Sequence, residues 1–329
     1  MAITKVRRVS AQLIEFICAL AVFLTLCVVS ACCDLKIDVA LYNPQSPFGT
    51  FFAEYGQFPT YLAILTVTAI VFNQAWGKTK GQKILIKVGQ SILLLGGAYY
   101  FTDAIVGNVF ADATFGGVPV RLYIVIGVSV IIAVAIALLT LKADKATMKK
   151  LLIFAIFLTV FIAVSSGIVH LAKILWHRQR FYTMADPTYS GLVDKYFWGT
   201  DFYEGFTPWY RPQWLFKNAV YARSGYTDAW LAINSDTFHS FPSGHTVAAS
   251  ASFGLIMLPD LLPRLRRIRW AFWLLPIAYT ATVGISRLVV GAHFLSDITF
   301  GGYIGFGCAV LARRVCQKYI NPIVAKVNY

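Results

Sequence analysis

The chain has 329 residues, of which 58% are hydrophobic and only 13% are charged, and its formal net charge is +14. An average soluble domain carries about 25% charged residues, so this composition excludes an ordinary soluble protein. The positive charge is spread over several short segments instead of forming one basic face, which argues against nucleic-acid binding. The composition therefore predicts a protein that crosses a membrane several times.

Eight stretches are apolar and long enough, or nearly so, to cross a bilayer, which takes about 20 residues per helix. In chain order they are roughly 11–33, 58–76, 84–106, 122–141, 151–172, 244–259, 270–289 and 293–312. The sixth stretch is short for a full crossing. Together the stretches predict an all-α fold, a polytopic membrane helical bundle of about eight transmembrane helices.

Segments rich in basic residues alternate along the chain with segments that contain few of them. Nineteen of the 29 lysines and arginines lie before the first stretch, after the last one, or in or beside every second loop. By the positive-inside rule those segments face the cytoplasm. The pattern predicts a multi-pass protein of a cell membrane, a bacterial inner membrane or a plasma membrane, with both termini cytoplasmic.

The end of the first stretch contains Val29-Ser30-Ala31-Cys32, which loosely resembles a bacterial lipoprotein cleavage site. The apolar run before it is longer than the core of a usual signal peptide, and this favours a retained span. The sequence leaves open whether the first span is removed.

The longest connection, 174–242, lies on the predicted outer side and is rich in aromatic residues. Aromatic rings with polar edges favour the headgroup region of a membrane, and connections of this length are usually functional. Pro212 and Gly225 flank a part that could be helical around 212–223. We predict that the segment lies along the outer interface, as a folded loop, as a rim that admits lipid, or as both.

Three clusters of ionisable residues lie at the predicted outer ends of spans, where charged groups are costly and often functional. The first cluster contains Lys173, Arg178 and Arg180. Lys173 and Arg180 are seven residues apart, close to two helical turns, so they share a face if the helix continues through both. Because these basic residues are on the acidic outer side, a bound anion explains them better than topology does.

The second cluster is Phe241-Pro242-Ser243-Gly244-His245, immediately before the sixth stretch. Proline and serine favour a helix start, and the free backbone amides there would face an anion. Gly244 would allow a close approach, and His245 would stand beside the anion. On its own, a Ser-Gly-His sequence is weak evidence for a site.

The third cluster is Ser286-Arg287, followed after five residues by His293 and four residues later by Asp297. The spacing of four places both side chains on one helical face. A carboxylate that binds one imidazole nitrogen fixes the tautomer and leaves the other nitrogen free as a nucleophile or base. A lone pair of this kind is more often a polar contact between helices, but two other clusters at the same depth favour a site.

Together the clusters supply cations, helix-start amides and two histidines, which are the components that phosphoryl transfer needs. No cluster of carboxylates indicates a metal site, so arginine and lysine would neutralise the phosphate charge. The sequence therefore predicts a phosphoryl-transfer site with no metal and no cofactor.

The motifs Lys-x6-Arg, Pro-Ser-Gly-His and Ser-Arg-x5-His-x3-Asp, in this order, resemble the three-part signature of the type 2 phosphatidic acid phosphatase superfamily. That superfamily is related to glucose-6-phosphatase and to vanadium haloperoxidases. The resemblance covers about 151–312. Its membrane members imply a six-helix phosphatase core, here 77–329, so that 1–76 would be an added N-terminal pair of transmembrane helices. The resemblance also implies an extracytoplasmic active site, as the charge pattern does.

The resemblance implies which residues bind the phosphate. Lys173, Arg180 and Arg287 would hold its oxygens. Ser243 and the backbone amide of Gly244 would assist them.

The resemblance also implies the catalytic roles. His293 would be the nucleophile that forms a phosphohistidine, Asp297 would orient it, and His245 would protonate the leaving group. Arg178 matches an extra basic residue often present before the arginine of the first motif and would be a further phosphate ligand. Phe181 stands where the family usually has proline, so the loop path there and the choice between Arg178 and Arg180 stay open.

The leading hypothesis is a metal-independent phosphatase or pyrophosphatase that acts on a lipid phosphate, with membrane lipids as its surroundings and no protein partner implied. Lipid A, undecaprenyl diphosphate, phosphatidylglycerophosphate and phosphatidic acid are candidate substrates.

A lipid phosphotransferase would use the same residues, and the sequence does not separate the two. A transporter is disfavoured because the ionisable residues cluster at one interface instead of crossing the bilayer. An enzyme like the haloperoxidases would require vanadate, which the multi-span chain disfavours. The sequence specifies neither the substrate nor the oligomeric state.

Overall fold

A computed structural model of the protein describes residues 2–107, 114–115, 117–140, 144–185, 206–211 and 235–320. These residues are almost entirely helical, apart from a hairpin of two short strands, β1 (Thr114–Phe115) and β2 (Val118–Pro119). The described α-helices are α1 (Ala2–Leu41), α2 (Pro47–Tyr55), α3 (Phe58–Phe72), α4 (Lys80–Val106), α5 (Val120–Thr140), α6 (Lys145–Trp176), α7 (Phe181–Ala185), α8 (Gly244–Ala249), α9 (Leu258–Leu261), α10 (Ala271–Val289) and α11 (Leu295–Val315). Tighter 3-10 turns cover Ser235–Phe238, Ser250–Met257 and Pro263–Ile268, and a π-helical turn covers Cys316–Ile320.

Seven helical stretches in the described part of the chain are long and apolar enough to cross a membrane. They are Leu13–Leu41, Pro47–Phe72, Lys80–Val106, Val120–Thr140, Lys150–Ala185, Ala271–Val289 and Leu295–Tyr319. The predicted all-α membrane fold is confirmed.

The predicted sixth span is absent from these seven because its helix is divided into three pieces between Gly244 and Leu261. The second piece is a 3-10 helix that begins at Ser250, whose hydroxyl donates a 2.6 Å hydrogen bond to the carbonyl of Val247. Serine hydroxyls that bond to a carbonyl in the preceding turn compete with the helical pattern, and the following Gly254 weakens it further. The α-helical pattern is therefore interrupted where the sequence predicts one apolar span.

The first span is longer than its apolar stretch predicts. Helix α1 continues past residue 33 to Leu41, and α2 follows after a short turn. Most of the segment 34–57, between the first and second predicted stretches, is therefore helical. Two acidic residues in it, Asp34 and Asp38, are buried.

Side chains satisfy backbone amides at several helix starts. At α4, the Thr79 hydroxyl accepts a hydrogen bond from the Gln82 amide, and the Gln82 side chain accepts one from the Thr79 amide. At α11, the Asp297 carboxylate accepts a 2.9 Å hydrogen bond from the backbone N–H of Phe294. These reciprocal or partial capping boxes satisfy amides that have no partner within the helix. The capping contact of Asp297 also fixes the orientation of its side chain.

The chain forms two compact units. The first comprises Met1–Gly49, Val169–Ser243 and Gly284–Tyr303, and the second comprises Thr50–Ile168, Gly244–Val283 and Ile304–Tyr329. In the first unit, Phe181, Met184 and Phe294 form a buried apolar cluster. In the second unit, a larger core contains stacked phenylalanines of α6, Phe157 and Phe161 among them.

Within the first unit, α1 packs along the beginning of α11. The Phe23 and Phe300 ring centroids are 5.3 Å apart, and the Tyr303 hydroxyl donates a 3.0 Å hydrogen bond to the carbonyl of Ala19. Further along, Asp34 contacts Ser296. The contacts occur in opposite order along the two helices, so α1 and α11 are antiparallel.

The predicted division of the chain at residue 76 stays a prediction. Most of the aromatic segment, including the helix predicted around 212–223, lies outside the described residues. Within the described residues 206–211, Phe206 packs against Phe294 and Trp209 against Phe300, with centroid distances of 5.4 and 4.9 Å. This part of the segment belongs to the first unit.

Candidate active site

A tight turn between α10 and α11 positions the histidine of the third motif. Gly291 has φ +66°, which glycine adopts without strain, and a Cβ there would lie 2.8 Å from the Tyr42 ring. The amides of Ala292 and His293 both bond to the carbonyl of Arg287, at 2.9 and 3.3 Å. The turn thus places His293 next to the end of α10, which carries Arg287.

Backbone hydrogen bonds join the first motif to the residues before the second. The Arg180 amide donates to the carbonyl of Thr237 at 2.9 Å, and the Ser240 amide donates to the carbonyl of Arg178 at 3.0 Å. The Ser243 amide donates to the carbonyl of Asp297, also at 2.9 Å. These bonds bring together, within the first unit, parts of all three motifs. The Ser243 side chain is fully buried there.

His293 is 1% exposed, and its Nδ1 atom lies 2.7 Å from the carbonyl oxygen of Ser240. A carbonyl oxygen only accepts, so Nδ1 carries the proton and Nε2 keeps its lone pair. Burial lowers the pKa of His293 to about 3; the Asp297 carboxylate opposes this shift, and the positive charges of Arg180 and Lys173 add to it. The imidazole is therefore neutral near pH 7, which is the form that can attack a phosphorus atom.

The Asp297 carboxylate is fully buried, and both of its oxygens are bonded. Oδ1 accepts a 2.6 Å hydrogen bond from Arg178. Oδ2 accepts from the Ser240 hydroxyl and from the Phe294 amide, and it lies 3.6 Å from Nδ1 of His293. The tautomer of His293 is thus fixed mainly by the Ser240 carbonyl, with the Asp297 charge beside it.

Two of the predicted phosphate ligands form no ion pair with a described residue. Nζ of Lys173 donates a 2.8 Å hydrogen bond to the carbonyl of His239. Arg287 is 3% exposed and donates a 3.3 Å hydrogen bond to the carbonyl of Gly49. Its Nε–H is buried and has no hydrogen-bond partner among the described residues. A buried cation with an unsatisfied N–H is well suited to bind an anion.

The third predicted ligand, Arg180, donates a 2.5 Å hydrogen bond from Nη2 to Asp236. The arginine side chain is 11% exposed and the aspartate side chain 69% exposed. Nε of Arg180 is buried without a partner among the described residues, like that of Arg287. Arg180 therefore has its Nε–H available as a donor, while its Nη2 is bonded to the exposed carboxylate of Asp236.

Arg178 has contacts that do not suit its predicted role as a phosphate ligand. Its Nη1 donates to Asp297 and its Nη2 to Asp34, and the guanidinium carbon lies 3.9 Å from the centroid of the Phe294 ring. Nε has no hydrogen-bond partner in the described part of the chain, but both terminal nitrogens are bound to carboxylates. The geometry therefore favours Arg180 over Arg178 for the phosphate.

The continuous helix that would place Lys173 and Arg180 on one face is not present. Helix α6 ends at Trp176, and His177 adopts φ +43°, so 177–180 leaves the helix before Arg180. Both cations nevertheless lie in the first unit, and their positive charges add to the lowering of the His293 pKa that burial causes. Their proximity comes from the backbone pairing of 178–180 with 237–240 and not from helical spacing.

The remaining two residues of the second motif belong to the second unit. Helix α8 begins at Gly244, as the Pro-Ser sequence before it predicts. Nε2 of His245 lies 3.2 Å from the carbonyl oxygen of Ala53. Their predicted roles stay predictions.

Sequence reasoning missed four polar residues that hold the site together. They are Asp34, Asp236, Ser240 and Ser296, three of them buried. Ser240 immediately precedes the second cluster, and Ser296 lies within the third, so their position was a usable signal. Asp34 was harder to identify from the sequence. It directly follows the apolar stretch 11–33, and a polar residue at that place is typical of the start of a loop.

Among the described residues, no group of three or more His, Cys, Asp or Glu side chains is arranged to hold a metal ion.

Comparisons with known proteins agree with the motifs. Residues 151–320, just over half of the chain, match the PAP2 superfamily. The lipid A 1-phosphatase of Rhizobium etli is similar to this chain, with 37% identity over 83 residues. That match covers 23% of this chain and 31% of the relative, so it spans about a third of the relative's length. No solved structure gives a significant match.

Proposed function

Because this chain belongs to the PAP2 superfamily, we propose that it is a metal-independent membrane phosphatase acting on a lipid phosphate monoester or diphosphate. The observation that carries the proposal is the state of His293. It is buried and neutral, with its proton held on Nδ1 by the Ser240 carbonyl and its Nε2 lone pair available. Arg180 and Arg287 supply buried N–H donors without partners in the described residues, and Lys173 adds a third cation.

In the proposed first step, Nε2 of His293 attacks the phosphorus. A P–N bond forms as the P–O bond to the lipid breaks, and the leaving oxygen takes a proton from His245. The developing negative charge on the phosphoryl oxygens is stabilised by Arg180, Arg287 and Lys173. The Asp297 carboxylate stabilises the positive charge that the imidazole gains when its Nε2 bonds to phosphorus.

In the second step, water attacks the phosphohistidine. Its proton passes to His245, the P–N bond breaks, and inorganic phosphate leaves. His293 returns to its neutral form with the proton still on Nδ1. The roles of His245, Ser243 and the Gly244 amide rest on the family resemblance.

The proposed side of the reaction is extracytoplasmic. The support is the charge pattern of the sequence, in which basic residues concentrate in the loops on the other side from the three motifs. A membrane-embedded chain with its motifs at span ends suits a lipid whose phosphate lies at the membrane surface. The similar Rhizobium protein is a lipid A 1-phosphatase, so lipid A is the first substrate to test.

The test is phosphate release by the purified protein in detergent, with EDTA present, from lipid A, undecaprenyl diphosphate, phosphatidylglycerophosphate and phosphatidic acid. The variants are His293→Ala and, as a matched control, His170→Ala, which removes an exposed histidine of α6. We expect release that survives EDTA, is lost in His293→Ala and is kept in His170→Ala. Full activity of His293→Ala would exclude it as the nucleophile.

The intermediate itself can be trapped by acid-free quenching after milliseconds of reaction. Phosphohistidine is labile to acid and stable to base, and peptide mass spectrometry would locate it at His293. A label on a serine or aspartate would contradict the proposed mechanism. Transfer of the label to an added alcohol, with little free phosphate, would indicate a phosphotransferase instead.

A further inference from the structure

Helix α1 lies outside the part of the chain that matches the family, yet one face of it is buried in the first unit. In 13–41, the part of α1 whose side chains are described, the buried positions are Cys27, Ser30, Asp34 and Asp38, and their spacing of three or four residues defines a single helical stripe. Burying a carboxylate is costly unless it is paired. The partners of Asp34 therefore indicate what the helix contributes.

Asp34 is 2% exposed and fully bonded. Its Oδ2 accepts a 2.9 Å hydrogen bond from Nη2 of Arg178 and another from the Ser296 hydroxyl. Its Oδ1 accepts a 2.9 Å hydrogen bond from the Ser296 backbone amide. The carboxylate thus joins α1 to the first motif and to the start of α11.

Arg178 connects Asp34 to the catalytic aspartate. Its Nη1 donates at 2.6 Å to Oδ1 of Asp297 and also at 2.6 Å to the Ser296 hydroxyl. The other oxygen of Asp297 faces His293. A chain of charged groups therefore runs from Asp34 through Arg178 and Asp297 to the imidazole, and its members are 2% exposed or less.

We infer that Asp34 is a positioning residue for the reaction, acting through Arg178 on Asp297 and so on His293. Asp34 takes one terminal nitrogen of Arg178 and balances part of its charge. Without it, the whole guanidinium charge falls on Asp297, which then offers less stabilisation to an imidazole that becomes positive in the transition state. The inference rests on the proposed function, because it assigns Asp34 to the same reaction.

The test measures steady-state phosphate release for Asp34→Asn, which keeps the shape of the side chain and removes its charge. Since Lys173, Arg180 and Arg287 are unchanged, KM should stay within about a factor of two. The value of kcat should fall about 10- to 100-fold, the range typical when a hydrogen-bond partner of a metal-binding side chain is removed. Inhibition by orthovanadate, which mimics the in-line transition state, should weaken in parallel, whereas inhibition by inorganic phosphate should not.

The matched control is Asp38→Asn, on the same buried face one turn further along. Neither Asp38 oxygen has a hydrogen-bond partner among the described residues, so this variant should keep kcat near that of the wild type. Equal losses of kcat in both variants would overturn the inference, because the effect would then come from disturbing α1.

A double variant tests whether Asp34 acts on Asp297 through Arg178. Asp34→Asn should cost little in an Arg178→Gln background, because the connecting group is gone. A full additional loss would show that Asp34 acts by another path and would overturn the inference. If Asp34→Asn does not fold, Asp34→Ser replaces it, because it also removes the charge that faces Arg178, and an unchanged kcat in that variant would overturn the inference.

Different results would contradict the proposed function and the proposed role of Asp34. A wild-type protein with no activity on any lipid phosphate would contradict the proposed function. An active wild type with an inactive His293→Ala and an unaltered Asp34→Asn would contradict only the role of Asp34.

Discussion

Arg180 and Asp236 form an ion pair with an N–O distance of 2.5 Å, in which a largely exposed carboxylate binds a largely buried guanidinium. A carboxylate and a phosphate oxygen compete for the same kind of donor. Asp236 is therefore bonded to a cation that the proposed mechanism assigns to the phosphate.

Asp236→Asn should strengthen phosphate binding. Ion pairs with an exposed partner are worth about 0.2–1 kcal/mol, so KM and the inhibition constant of inorganic phosphate should fall by up to about fivefold. The measurement is competitive inhibition by phosphate at several substrate concentrations. Asp103→Asn, which breaks the 2.7 Å pair with Arg121 in the second unit, is the control and should leave both constants unchanged. Weaker phosphate inhibition in Asp236→Asn would instead show that Asp236 helps to hold Arg180 in place.

Much of the fold followed from hydrophobicity alone, because a membrane-spanning helix needs a long apolar run that few other structures contain. The spans that became α4, α5 and α10 were located to within a few residues. The ends of α1 could not be predicted in this way. Its last two turns hold Asp34 and Asp38, which are polar by type but buried. Asp34 is bonded there to Arg178 and Ser296, which are distant in sequence and come close to it only in the folded chain.

The residues of the candidate site were predicted from the spacing of the motifs. Spacing is a local property of the sequence, so it could not predict the contacts that those residues make. The seven-residue spacing predicted that Lys173 and Arg180 lie close together on one face of a continuous helix. The two residues do lie in the same compact unit, but the helix ends before Arg180, where His177 has a positive φ. The partners of Arg178 are more than 100 residues away in sequence, so no local pattern could show that carboxylates already bind it. Long-range hydrogen bonds of this kind become visible only in three dimensions.

Ser240 and Ser243 should affect different kinetic constants. The Ser240 hydroxyl donates to Asp297, while its carbonyl, which a side-chain change leaves intact, binds His293. Hydrogen bonds to charged groups are worth about 1.5–3 kcal/mol, so Ser240→Ala should lower kcat by about 10- to 100-fold with little change in KM. Ser243→Ala, at a proposed phosphate ligand, should mainly raise KM. Steady-state kinetics of both variants decide this, and a reversed pattern would contradict the assigned roles.

Gly291 should tolerate no side chain. Alanine there would hold a left-handed φ of +66° and place its Cβ 2.8 Å from the Tyr42 ring, in the turn that leads to His293. We expect Gly291→Ala to lower stability by about 1–3 kcal/mol and to lower kcat as well. Gly117→Ala is the matched control, because Gly117 has φ +78° but, in the described part of the chain, no atom beyond its chain neighbours lies within 4 Å of the added Cβ. Thermal unfolding in detergent should show the larger loss for Gly291→Ala; equal losses would mean that the contact with Tyr42 is unimportant.

The pKa of His293 gives a prediction for stability at acidic pH. Burial lowers this pKa from 6.5 to about 3 in the folded protein. Between these two values the unfolded chain binds a proton that the folded protein does not, so the stability contributed by the neutral imidazole rises with pH. It is fully present above pH 6.5 and is lost as the pH falls from 6.5 towards 3.

The wild type should therefore lose more stability between pH 7 and pH 4 than His293→Gln, which cannot take up the proton. Each pKa unit corresponds to about 1.4 kcal/mol, so the difference at pH 4 should be on the order of 3 kcal/mol. Unfolding midpoints of both proteins in the same detergent, measured across this range, provide the comparison. Parallel curves would show that His293 is protonated as easily in the folded chain as in the unfolded one. In that case the imidazole would be partly charged near pH 6.5, and the neutral nucleophile of the proposed mechanism would lose its main support.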